Sequence, residues 1–291
     1  GGASEWRFKH PTVGDALATQ LVRNPELLEI YIHGSQTSDL IDQVTCGDVG
    51  LERAIIIPHS LYALILRRLD DSSLSSNYKS PSSASWDARR RVINFLARRC
   101  SKEFLSLYLA AHPDVLDEVA EPGLMLSAAS EVDLAIKLHT YGLLPEPQRM
   151  GFLATVTAYA VSGEDLYALE DENIRSMFTE EEFMTFRHRL RTELVPVLSE
   201  VRYEWESNFR GSNESADGYM EPLLSGLQAL TEEFSEDESL KVLVDEQAAR
   251  VNEWIDEQSS EEFETPRRAL GDFEARPQFD GTRSIFDDLD A

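Results

Sequence analysis

Cysteine, histidine and basic residues are all scarce in this 291-residue sequence. It has two cysteines and six histidines, and its 27 lysines and arginines face 53 acidic residues, which gives a formal net charge of -26. Neither Cys46 nor Cys100 belongs to a spacing that holds zinc, so we expect reduced thiols and no metal site. The negative charge repels phosphate backbones and anionic lipid surfaces. We therefore expect neither nucleic-acid nor membrane binding.

Long apolar runs are absent as well. No segment approaches the roughly 20 apolar residues that span a bilayer, and the first residues contain no apolar segment typical of a signal peptide. These absences predict a cytoplasmic protein. We interpret residues 1–4, Gly-Gly-Ala-Ser, as a remnant of cloning.

The motifs of common enzyme classes are also missing. The sequence has no Gly-x-x-x-x-Gly-Lys-Ser/Thr phosphate loop, no Gly-x-Gly-x-x-Gly pattern, no Gly-x-Ser-x-Gly elbow and no His-Glu-x-x-His motif. We predict that this chain alone is not an enzyme. Catalytic residues dispersed along the sequence stay open as an alternative, because a spatial cluster leaves no sequence pattern.

Charge is distributed unevenly along the chain. Residues 1–110 hold 13 basic and 12 acidic residues, whereas residues 111–291 carry a net charge of -27. One cluster is basic, and its spacing places much of it on one side of a helix. We predict a solvated face that pairs with the acidic remainder of the chain. The cluster consists of Arg89, Arg90, Arg91, Arg98, Arg99 and Lys102.

The first part of the chain, residues 5–69, has mixed patterns. Apolar spacing predicts a helix pair in which Pro25 opens the second helix after Asn24. The run at 54–57 is β-branched and ends at Pro58, and it is the only good strand candidate. Residues 70–85 contain eight serines and predict a flexible linker at a domain boundary.

Beyond the linker, residues 86–258 have helical patterns interrupted by proline and glycine. They predict a mainly α fold built as an irregular array of helical hairpins. Thr179 and Glu182 have capping-box spacing, so a long helix should begin there and bend at Pro196. Residues 259–291 lose periodicity and predict an extended acidic tail. The predicted helices of the array are 86–99, 101–111, 114–120, 130–141, 147–161, 219–234 and 239–255.

The segment Trp-Arg-Phe-Lys-His-Pro-Thr-Val-Gly-Asp-Ala-Leu-Ala, residues 6–18, stands apart. It resembles the F-x-H-x-[ST]-φ-x-[DE]-φ pattern near the end of the winged-helix domain in STAND NTPases, the signal-transduction ATPases that include NACHT proteins and NOD-like receptors. The match falls on Phe8, His10, Thr12, Val13, Asp15 and Ala16. Further segments look like the C-terminal part of bacterial STAND NTPases of the novel STAND type, among them 24–28, 46–48, 143–145, 159–163 and 283–287.

This resemblance implies a regulatory piece of a larger protein. Residues 5–69 would be a small winged-helix-like segment and residues 86–258 a helical sensor that recognises a protein trigger, such as a viral protein, in antiviral defence. His10 would contact the β-phosphate of ADP only with the missing NTPase domain, supported by Phe8, Thr12 and Asp15. ATP or ADP and Mg²⁺ are implied for the parent protein, which would also self-associate, while this chain holds no cofactor. A simple helix-entry turn at 10–12 stays open as an alternative.

Two other hypotheses follow from the acidic half. The chain could be a stand-alone acidic interaction module, an immunity factor or DNA mimic whose carboxylates occupy a basic site. The end of the tail places apolar residues among charges and predicts a docking peptide, with a frayed solubilising tail as the alternative. Its residues are Arg283, Ser284, Ile285, Phe286 and Leu289.

Overall fold

The computed structural model describes residue 20 and residues 24–52, 54–70, 83–209 and 212–264. These residues form a mainly helical fold, as predicted, with one two-stranded sheet. Among the helices described, none is both long and apolar enough to cross a membrane.

The N-terminal part begins with a capped helix. Helix α1 runs from Pro25 to Gly34, and the side chain of Asn24 accepts hydrogen bonds from the backbone N–H groups of Glu26 and Leu27 at 3.1 and 3.3 Å. The predicted start at Pro25 is confirmed. Helix α2, Thr37–Gln43, follows directly.

A short parallel sheet comes next. Strand β1, Val44–Cys46, pairs with strand β2, Ile55–Ile57, in the register Val44 to Ile55. The strand predicted at 54–57 is confirmed, but its standing as the only good candidate is wrong. The segment of β1 is too short to show an alternating pattern, and it is extended because it pairs with β2 and bridges Cys100. A 3-10 turn, His59–Leu61, then leads into helix α3, Tyr62–Asp70.

The predicted helical array is present with nearly the predicted boundaries. Turns that contain proline or glycine separate several of the helices, as at Gly142, whose φ is +66°, whereas Cys100 and Ser101 alone separate α4 from α5. The helices are α4 Ser83–Arg99, α5 Lys102–Ala111, α6 Val115–Ala120, α7 Ser130–Thr140, α8 Glu146–Ser162 and α9 Glu172–Ser176, with 3-10 turns at Leu126–Ala128 and Tyr167–Leu169.

The long helix after Thr179 begins and bends as predicted. Thr179 and Glu182 form a capping box at the start of helix α10, Glu180–Arg189. A π turn, Leu190–Leu194, and a 3-10 turn, Val195–Val197, interrupt the helix at Pro196, which has no N–H to donate. The chain then continues as helix α11, Leu198–Phe209.

Two helices complete the described fold. Helix α12, Ala216–Glu233, packs against helix α13, Glu238–Glu264. The extended tail predicted from residue 259 is wrong for its first residues, because α13 continues to Glu264. The rest of the predicted tail lies outside the described residues. The prediction placed the helix end where apolar periodicity stops, but backbone hydrogen bonds can continue a helix without an apolar stripe.

Three arginines of the basic cluster pair with acidic side chains, as predicted, but Arg89 is only 15% exposed and does not belong to a solvated face. Arg89 donates to Glu118 at 2.6 and 2.9 Å, and Arg98 donates to Asp133 at 3.1 and 3.3 Å. Arg91 reaches back to Asp42 of α2 at 2.5 Å. Helix α4 is thus bound by ion pairs to the segments before and after it.

Buried apolar side chains form two clusters that meet along α8. The first contains residues from both sides of the serine-rich segment, such as Ile57 and Phe104, and the second contains residues of α10 to α13. Helix α8 contributes Phe152 and Val156 to the first cluster and Ala160 to the second. The predicted units 5–69 and 86–258 therefore share buried contacts, and their assignment as separate domains stays a prediction.

A buried arginine fastens α8 to the start of α10. The side chain of Arg149 is 8% exposed, and it donates to Glu146 at 2.6 and 2.8 Å and to Glu182 at 2.7 and 2.9 Å. Its guanidinium also donates to the carbonyl of Met177 at 2.6 Å. Because Glu182 is the capping-box residue of α10, one guanidinium joins the cap of one helix to the body of another.

We expect Arg149→Met to lower the free energy of unfolding by roughly 2–4 kcal/mol at pH 7, because it leaves two carboxylates and a buried carbonyl without their donor. The hydrogen bonds from Arg149 lower the pKa of Glu182 to about 2. The stabilisation by Glu182 is therefore complete above its unfolded pKa of about 4.3 and is lost as the pH falls through about 2.

Urea unfolding at several pH values measures both effects. The control is Arg250→Met, which removes an exposed pair with Glu246 on α13 and should cost less than about 1 kcal/mol. Equal losses in the two variants would contradict the assigned role of Arg149. A Glu182→Gln chain whose stability falls with acid as steeply as that of the wild type would contradict the role of Glu182.

Candidate protein-interaction site

The residues predicted as functional from the sequence lie outside the described part of the chain. This holds for His10, Phe8, Thr12 and Asp15, and for the tail positions Arg283, Ser284, Ile285, Phe286 and Leu289. Their roles stay predictions. The candidate site therefore comes from the geometry of other residues.

One loop of the helical array exposes apolar side chains in a strained conformation. We call residues 121–126, between α6 and the 3-10 turn before α7, the apolar loop. Pro122 and Leu126 are buried and anchor its two sides. Between them, Leu124 is 54% exposed and Met125 is 69% exposed.

Met125 has a backbone conformation that its side chain disfavours. Its φ and ψ are +66° and +56°, and it is the one residue other than glycine with positive φ among those that the structure describes. Left-handed backbone costs a non-glycine residue roughly 1–2 kcal/mol, and such strain persists only where surrounding contacts enforce it. Here it turns a flexible apolar side chain outward.

Hydrogen bonds on both sides enforce this conformation. The hydroxyl of Tyr159, on α8, donates to the carbonyl of Pro122 at 3.1 Å. The backbone N–H of Leu126 donates to Oδ2 of Asp165 at 2.7 Å, while Oδ1 of Asp165 accepts from the N–H of Tyr167 at 3.0 Å. The loop is therefore attached to α8 and to the segment that follows α8.

The surroundings of the apolar loop are acidic. Glu121 begins the loop and is exposed, and Glu164 is exposed beside the Asp165 that holds it. Glu131 follows in the first turn of α7. Exposed apolar side chains with acidic residues before and after them in the chain fit a partner that offers an apolar pocket with a basic rim, because the negative charge attracts and orients such a rim.

A second surface feature is an acidic groove between α9 and α12, with a volume of about 740 Å³. Ser225 donates to Glu170 at 2.7 Å across it, and burial raises the pKa of Glu170. Arg175 and Glu233 form an ion pair of 3.0 Å along one wall. The groove is lined by Leu169, Glu170, Glu172, Arg175, Ser176, Ser225, Gln228, Ala229, Glu232 and Glu233.

Sequence reasoning did not single out the apolar loop. The Pro122-Gly123 dipeptide is a turn signal, and the run Leu124-Met125-Leu126 directly after it is unusually apolar for a loop. Together these features could have indicated an exposed apolar turn. Nothing in the sequence, however, places Tyr159 and Asp165 against it.

Comparisons of the chain with protein-family models, with curated proteins and with solved structures found no match. Within the described ranges, no group of three or more histidine, cysteine, aspartate or glutamate side chains is placed to hold a metal ion. The apolar loop and the acidic groove are the two surface features of the described residues considered for function, and the resemblance of residues 6–18 stays a prediction.

We expect Met125→Gly to leave the free energy of unfolding unchanged or to raise it by up to about 1 kcal/mol, because glycine adopts positive φ without strain. The matched control is Met184→Gly. Met184 is 51% exposed but lies inside α10, where glycine costs about 1 kcal/mol. Urea unfolding of the two variants measures the difference, and an equal loss in both would show that residue 125 carries no backbone strain.

Proposed function

We propose that this chain is the non-catalytic regulatory region of a STAND-type NTPase in bacterial antiviral defence, and that it recognises a protein trigger. The observation that carries the recognition part is the apolar loop, where Leu124 and Met125 face solvent on a strained backbone held by Tyr159 and Asp165. The family part is supported by the resemblance of residues 6–18 to the winged-helix motif.

The apolar loop is connected to the buried clusters, so a partner that binds the loop would act on the packing of the helices. Burying Leu124 and Met125 in a partner's pocket would contribute roughly 1.5–3 kcal/mol for each side chain. Tyr159 ties the loop to α8, which belongs to both buried clusters and is joined to α10 through Arg149. A trigger changes the balance of two states only by its difference in affinity for them, so it must prefer one arrangement of α8 and the loop.

Nucleotide chemistry belongs to the parent protein in this proposal. The phosphate loop and the acidic residue that would hold ATP or ADP and Mg²⁺ are absent from this sequence. When such a domain is present, His10 would contact the nucleotide phosphate. The described residues take no part in hydrolysis and act by binding a partner and transmitting its presence through helix packing.

We expect the purified 291-residue chain to show no ATP hydrolysis above a buffer blank and no tight binding of ATP or ADP, because no phosphate-binding loop exists in its sequence. Phosphate release and isothermal titration calorimetry test the two statements. Turnover that remains with the chain through successive purification steps would contradict the non-catalytic part of the proposal.

Partner recognition is tested by capture. The tagged chain is incubated with lysates of infected and uninfected bacteria at low and high salt, bound proteins are identified by mass spectrometry, and the identified partner is purified and titrated. We expect a viral protein that is retained at high salt, and we expect Leu124→Ser with Met125→Ser to weaken its binding at least tenfold.

The matched control replaces another adjacent pair of exposed apolar residues. Val242 and Leu243 on α13 are 56% and 48% exposed, so Val242→Ser with Leu243→Ser removes a similar apolar surface elsewhere. This control should retain the partner. An equal loss of partner binding in both double variants would indicate non-specific hydrophobic binding. Unchanged capture by the Leu124/Met125 variant would show that the apolar loop does not bind the partner.

The acidic groove favours a second candidate, a stand-alone acidic module that binds a basic partner. Exposed carboxylates lose much of their attraction as salt screens them. Capture of basic proteins only, lost at high salt and weakened by Glu172→Gln with Glu232→Gln, would support this alternative. It would also make the STAND resemblance incidental.

A further inference from the structure

The two cysteines, distant in sequence, are neighbours in the fold. Cys46 is the last residue of β1, and Cys100 lies between α4 and α5. The two residues form a parallel bridge, and the N–H of Ser101 donates to the carbonyl of Cys46 at 2.8 Å. This bridge joins the segment before the serine-rich stretch to the helical array after it.

The bridge has the geometry of a potential disulfide. Paired residues of neighbouring strands lie about 4.8 Å apart, within the range of about 4.4–6.8 Å over which disulfides connect Cα atoms. Both cysteines are free, and both are fully buried.

The packing around the bridge protects the thiols. Gly47, with φ of +86°, approaches Ser101 and the hydroxyl of Tyr62 so closely that a Cβ atom would overlap both. Tyr62 and Ser101 contact each other through their hydroxyl oxygens at 3.2 Å. Burial also raises the pKa of the Cys100 thiol well above its usual range, and the protonated thiol reacts slowly with oxidants.

We propose that Cys46 and Cys100 are a redox-regulated pair whose disulfide fastens residues 24–70 to the helical array. The oxidant class is a hydroperoxide. When the bridge opens transiently, one thiolate attacks the peroxide oxygen, forms a sulfenic acid and releases water. The second thiol then attacks that sulfur and releases a second water, so that two thiols and one hydrogen peroxide give one disulfide and two waters.

This device is independent of the proposed trigger recognition. The rate at which the disulfide forms is set by local opening of the bridge between Cys46 and Cys100. Once formed, the disulfide resists further opening of that bridge.

The purified chain is treated with millimolar hydrogen peroxide and digested with trypsin without reduction. Cys46 falls in the tryptic peptide 24–53, and Cys100 falls in the tripeptide 100–102. We expect these two peptides to be joined by a disulfide in the oxidised sample, to separate on addition of dithiothreitol, and to account for the loss of both thiols titrated in denaturant.

Oxidation should also raise the midpoint of thermal unfolding by roughly 5 °C, reversibly. Cys46→Ala and Cys100→Ala are the controls, since each keeps one thiol and should show neither the joined peptide nor the shift. Two results would overturn the proposal. One is oxidation of the separate cysteines to sulfinic or sulfonic acid. The other is survival of both thiols in the folded chain at a peroxide dose that oxidises the same chain unfolded in urea. Neither result bears on capture through the apolar loop.

Discussion

The described fold depends on one helix, α8, because both buried clusters pack against it. Phe152 and Val156 face the N-terminal cluster, and Ala160 faces the C-terminal one. The helix ends at Gly163, whose φ of +76° lets the chain turn and whose carbonyl accepts a hydrogen bond from the indole of Trp205 at 2.9 Å. A change in the position of α8 would disturb both clusters at once.

The polar contacts of α8 extend this constraint to the surface. At its start, Arg149 connects the helix to the cap of α10, and near its end Tyr159 holds the apolar loop. The loop can therefore keep Met125 in a disfavoured conformation, because its anchors belong to a well-packed helix. A small exposed apolar feature on a rigid support suits the proposed recognition of a protein partner, since binding energy concentrates in a few well-placed side chains.

The charge of the chain has two different roles. Acidic residues that pair with the α4 arginines join neighbouring segments, as Asp42 and Glu118 do. Other carboxylates are exposed, among them Glu121 in the apolar loop and Glu172 and Glu232 in the acidic groove. The net negative charge of the chain favours basic partners and raises the rate of association with them. It cannot distinguish one basic partner from another, so shape at the apolar loop is what would give specificity.

The sequence by itself determined the features that depend on nearby residues. The start of α1 at Pro25, the capping box of Thr179 and the bend at Pro196 are local, because hydrogen bonds within a few positions, or the lack of one, produce them. Most helix boundaries followed for the same reason, but the end of α13 did not. Only the tertiary structure decided strand β1, the conformation of Met125 and the pairing of Cys46 with Cys100, since each depends on residues far away in the chain that no local pattern encodes.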